Sequence, residues 1–198
     1  MVYISFGLCF SIKIELEVRL RVLIVFADMV RANRLSTFNN NVTTNAGAKI
    51  DEWLQKIGGE IYTNCFSPGP DTNRAIAAFT TGLPPNLNGC DVRLKWPRFF
   101  LRTEIETVFD LFLNSGYKLD ILSDPRERAA GIFPESITNL DVHNAKKYDI
   151  EDFLKNLTLQ DDHFLFLSLP QFHWTLDAFG ASLNGERNAY ADLSIALK

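Results

Sequence analysis

No stretch of this chain is strongly basic, and that absence removes the electrostatic footprint on which nucleic-acid binding rests. Lys and Arg number 20 against 24 Asp and Glu, a net charge of −4. No apolar run reaches the roughly 20 residues that a membrane-spanning helix needs. The start, MVYISFGLCFSIKIELEVRLRVLIVF, is apolar but interrupted by Lys13, Glu15, Glu17, Arg19 and Arg21. It lacks a basic leader followed by a clean apolar core, so it does not read as a secretory signal, and a cytoplasmic location is favoured. Cysteine is scarce: Cys9, Cys65 and Cys90 are the three present. Their spacing matches no zinc motif, and an odd number argues against a disulfide scaffold, which leaves buried thiols. Internal repeats and low-complexity linkers are also missing.

What is present suffices for one core: 198 residues, 46% of them hydrophobic. RVLIVFAD, Arg21 to Asp28, is a continuous apolar run closed by an acid. A strand buried on both faces of a parallel sheet reads that way. EIYTNCF (Glu60–Phe66), YKLDILSD (Tyr117–Asp124) and HFLFLSLP (His163–Pro170) are three further expected strands. Residues 12–20 alternate in polarity, which suits a strand or an irregular lead-in, so 1–20 is set apart from a domain spanning 21–198. Helices are expected over NAGAKIDEWLQKIGG, NRAIAAFTTG, TEIETVFDLFLNSG, IEDFLKNL and NGERNAYADLSIALK. The first places Ile50, Trp53, Leu54 and Ile57 on one face. Strands thus alternate with helices, and the expected fold is α/β with a mostly parallel sheet flanked by helices.

Ligands in such sheets bind beyond the carboxyl ends of the strands, where Asp28, Cys65 to Arg74, Asp124 and His173 all fall. Asp28 can bind a divalent cation through its oxygens, or cap the next turn, or pair with Arg31 or Arg34. Asp71 and Thr72 stand where a helix N-cap belongs. That position also attracts sulfate or phosphate, and a hydroxyl there can attack sulfur or phosphorus if a metal lowers its pKa. Arg74 either clamps an oxyanion or is a solvated first-turn residue. His173, read as lying on a loop beside Trp174, is either an acid and anion donor or structural. His143 and His163 have no partner pattern and read as structural. LKWPRFFL (Leu94–Leu101) mixes basic and aromatic residues, too short a segment to indicate a nucleic-acid platform on an acidic chain.

Four segments, VLIVFADMVRANRLS, GGEIYTNCFSPGP…NRAIAAFTTGLPPNLNGC, TVFDLFLNSGYKLDILSD and DDHFLFLSLPQFHW, occur in an order and spacing that resemble the N-terminal part of a sulfatase, of the alkaline phosphatase superfamily. The resemblance spans Arg21 to Lys198 and implies a sheet incomplete at its C-terminus. It implies cleavage or transfer of a sulfate or phosphate ester, of a small molecule or a glycan. It also implies a divalent cation, Ca²⁺ first and Zn²⁺ or Mn²⁺ as in phosphotransferase relatives. Asp28 matches the first metal-binding acid, and Met29 stands where the second would be. Arg74 matches the arginine of the nucleophile motif. No Cys or Ser occupies the nucleophile place; counting back from Arg74 reaches Pro70. Thr72 is then the nearby hydroxyl that can attack, and Asp71 a substitute metal ligand. Asp124 replaces a lysine of the family, and His173 matches its histidine. The alternative is an inactive protein of the same fold that binds an anionic ligand.

Overall fold

The computed structural model describes residues 2–5, 9–12, 14–16, 19–42, 47–91, 100–123, 127, 132–133, 142–144, 150–180 and 182–196. Three parallel strands form the centre of its sheet: β4 (Arg19–Ala27), β5 (Lys118–Ser123) and β7 (His163–Leu169). β7 lies between the other two, in register with β4 from Arg21↔His163 to Ala27↔Leu169 and with β5 from Lys118↔His163 to Leu122↔Leu167. β6 (Val142–Asn144) continues the parallel sheet beyond β5. On the far side of β4, β1 (Val2–Ser5) pairs parallel and β2 (Cys9–Ile12) antiparallel to β1, while β3 (Ile14–Leu16) runs antiparallel to the start of β4. Of the alternating stretch 12–20, residues 12, 14–16 and 19–20 fall on strand backbone, and the others lie outside the described residues.

The apolar runs supply a core on both faces because successive strand side chains point oppositely. Val25, Ala27, Leu165, Leu167 and Leu169 pack on one face against α1 (Ala48–Ile57), α5 (Ile150–Asn156), α6 (Gln171–Phe179) and α7 (Leu183–Ala196). Val22, Ile24, Phe26, Phe164 and Phe166 pack on the other against α2 (Thr72–Thr81) and α4 (Val108–Asn114). There Phe109 meets Phe164 and Phe166 with ring centroids 5.7 and 5.4 Å apart, both edge-on. A short helix α3 (Pro85–Asn88) follows α2, with Pro85 in its first turn. Among the described residues no helix is long and apolar enough to cross a membrane.

Three expectations are corrected. Glu60–Phe66 forms no strand: Ile61, Tyr62 and Phe66 are 46, 49 and 89% exposed. The strand that pairs parallel with β4 on the side away from β7 is β1. The helix expected from Thr103 starts only at Val108, because Thr107 and Asp110 close a reciprocal capping box. His173 lies on α6, not on a loop. Asp124 and most of Leu94–Leu101 lie outside the described residues.

Candidate active site at the carboxyl edge of the sheet

β4 ends at Ala27, and Asp28 follows it with its N–H donated to the Leu169 carbonyl at the end of β7 (3.2 Å). The next residue, Met29, has φ 62° and is 42% exposed. A left-handed conformation at a residue other than Gly, Asn or Asp costs of order 1 kcal/mol. The chain therefore turns sharply here and leaves the Asp28 carboxylate, 9% exposed, at the edge of the sheet.

Two helices from opposite faces converge on that carboxylate. Thr72 is the first residue of α2, and its hydroxyl donates to Asp28 Oδ1 at 3.0 Å. His173 is the third residue of α6, and its Nδ1 lies 2.8 Å from Asp28 Oδ2. A carboxylate only accepts, so Nδ1 carries the proton. The other ring nitrogen, Nε2, lies 3.4 Å from Asp177 Oδ2, one turn further along α6. Both helices present their positive N-terminal ends to Asp28. The alternative partners considered for Asp28 are engaged elsewhere: Arg31 and Arg34 both pair with Glu186, at 3.4 and 3.2 Å.

Asp71 is the N-cap of α2. Its Oδ1 accepts the Arg74 backbone N–H at 3.2 Å, and its Oδ2 accepts Arg74 Nη1 at 2.8 Å. Arg74 Nε and Nη2 donate to the Asp91 carbonyl. All three guanidinium nitrogens are thus engaged, while 23% of the side chain remains exposed. The loop before it is held tight, since a Cβ at Gly69 would collide with the Arg74 side chain.

The structure therefore brings Asp28, Thr72 and His173 into one hydrogen-bonded set and pairs Asp71, the cap just before Thr72, with Arg74 in the first turn of α2. As a cation site, the central set offers one carboxylate, one imidazole and one hydroxyl. Ca²⁺ takes six to eight oxygens, and a catalytic Zn²⁺ takes three strong protein ligands, so these donors fit neither ion. Both Asp71 oxygens are already occupied by Arg74. No group of three or more His, Cys, Asp or Glu side chains among the described residues could hold a metal.

Sequence reasoning missed a second polar cluster at the opposite, amino edge. His163 Nε2 lies 2.7 Å from Asp120 Oδ2, which also meets Lys118 Nζ at 3.0 Å. The signal was the register: Lys118 and His163 begin adjacent strands. Compared with family models, with curated proteins and with solved structures, the chain matches none.

Proposed function

We propose that the chain belongs to the sulfatase-like branch of α/β hydrolytic folds and cleaves or transfers a sulfate or phosphate ester at the carboxyl edge of its sheet. The observation that carries this reading is the Thr72 hydroxyl held 3.0 Å from a carboxylate that is itself fixed by His173. Thr72 Oγ1 attacks sulfur or phosphorus as Asp28 takes its proton, the ester bond to the departing oxygen breaks, and that oxygen takes the proton on from Asp28 and leaves as the alcohol. The His173 Nδ1–H keeps Asp28 in place by its hydrogen bond to Oδ2. Water then hydrolyses the Thr72 ester and restores the hydroxyl. The resemblance adds a divalent cation. The described donors do not fit one, so no step is assigned to it.

The test is release of 4-nitrophenol from its phosphate and sulfate. Thr72→Ala is expected to lower turnover by about a thousandfold, the scale of losing an activated nucleophile. Ser67→Ala, whose hydroxyl bonds the Gly69 carbonyl (2.7 Å), is expected to leave it near wild type. Full turnover in Thr72→Ala would reduce Thr72 to a helix-end residue. A second reading is an inactive anion binder, because Arg74, committed to Asp71 and Asp91, is not free to steady the charge of an ester being cleaved. Binding of inorganic sulfate or phosphate with no turnover of either ester would select it.

A further inference from the structure

Between the end of β4, α2 and the segment 65–68 the chain forms a cavity of about 380 Å³, which starts one turn along α2 from Thr72 and reaches Gly82–Pro84 past the end of that helix. Its place follows from β4 and α2. Phe26 lines it and precedes Asp28 by two residues on β4; Ala75 and Ala78 line it from α2, Ala75 one turn after Thr72. Phe79, also of α2, and the chain segment Cys65–Phe66 add to the wall. None of the described lining residues is charged, and the Ser67 hydroxyl there is already bonded to the Gly69 carbonyl. Phe66, 89% exposed, is an apolar ring on the wall of this cavity with almost no protein packed over it. The volume lies in the range of small-molecule sites.

We propose that this cavity takes the apolar part of the substrate, an aryl or short alkyl group, while the sulfate or phosphate meets Thr72 and Asp28. The inference rests on the ester-cleavage reading and narrows its substrate class. A sugar pressed against Phe26 and Phe79 would leave its hydroxyls without partners, whereas an aromatic ring would bury its faces on those side chains. The alcohol released by cleavage is then a phenol or an apolar alcohol, not a glycan.

Two measurements separate this inference from the reading beneath it. Titration calorimetry with 2-naphthol, which has no ester to cleave, should give one site with Kd of about 100 µM, ordinary for a ligand of that size. Ala78→Phe, which fills the cavity, should weaken binding by about tenfold or more, and Phe66→Ala, at an exposed position that folding does not depend on, by about threefold. Thr72→Ala should bind 2-naphthol as the wild type does. In turnover, 2-naphthyl phosphate and sulfate should show KM about tenfold or more below glucose 6-phosphate and 6-sulfate. Cleavage with equal KM for both kinds of ester and no naphthol binding overturns the cavity assignment and leaves ester cleavage standing. Naphthol binding weakened as expected in Phe66→Ala and Ala78→Phe, with no cleavage of any ester, supports the apolar specificity and overturns the ester reading. Naphthol binding unchanged in both variants overturns the cavity as its site.

Discussion

His163 begins the central strand with 1% of its surface exposed, in contact with Asp120 and in register with Lys118 and Arg21. The Gln160 backbone N–H donates to its Nδ1 at 3.1 Å, so that nitrogen is unprotonated and Nε2–H donates to Asp120. The ring is therefore neutral. Burial lowers its pKa from the ordinary 6.5; Asp120 opposes the shift, and the Lys118 and Arg21 charges add to it. A folded pKa below the unfolded one means that the unfolded chain binds more protons once the pH drops below about 6.5. Stability should accordingly fall as pH passes down through that value, and be insensitive to this group above it. Thermal melts between about pH 7.5 and 5.5 should show a decline in the wild type and a flatter curve in His163→Gln. An equal decline in both would place the acid sensitivity on other groups. The pair was illegible in the sequence because Asp120 and His163 are 43 residues apart and meet only through strand register. Asp28, Thr72 and His173 are as far apart, yet each stands at a strand end or helix start, and such positions converge in any parallel sheet.

Helices were more legible than turns at the scale of the element. α1 follows its apolar spacing, and α2 runs from the Asp71 cap to Gly82, whose φ of 68° closes it without a Cβ penalty. The failures came where two local signals compete. Thr103 and Glu106 have capping-box spacing, but so do Thr107 and Asp110, and the second pair lies against the apolar run that Phe109 buries. Asp51 lies inside α1, where the apolar spacing that marks the helix assigns it no role. It is 6% exposed and ties the turn after the Ala32–Arg34 3₁₀ helix to α1. Its Oδ2 accepts the Ser36 N–H and hydroxyl at 2.8 and 2.9 Å, and its Oδ1 the Thr37 N–H at 2.9 Å. Removing the carboxylate leaves those donors without their acceptor. Asp51→Ala should lose about 3 kcal/mol of stability in urea unfolding, and Asp51→Asn less, since its amide oxygen keeps part of the contact. A loss under about 0.5 kcal/mol for Asp51→Ala would mean that water replaces the carboxylate without penalty.

Across the whole molecule, the apolar runs announced a sheet covered on both sides, and the two core clusters are those two sides. What no run could show is that the helices on opposite faces, α2 and α6, end over the same carboxylate. That convergence also decides how the chain should treat cations. A divalent metal at Asp28 would have to displace the Thr72 proton from Oδ1 or the His173 proton from Oδ2, and each of those contacts holds a helix end in place. Asp71 would have to leave both the α2 backbone and the Arg74 guanidinium to join it. Met29, next to Asp28, brings a thioether where a hard cation wants oxygen. Calorimetric titration with Ca²⁺, Mn²⁺ and Zn²⁺ should thus show no stoichiometric site tighter than about 10⁻⁵ M, the weak limit of sensor-type calcium sites. Asp28→Asn should leave whatever weak binding is seen unchanged. A tight site that Asp28→Asn abolishes would show that the hydrogen-bonded set rearranges around a metal, and would move the activation of Thr72 from the carboxylate to the ion.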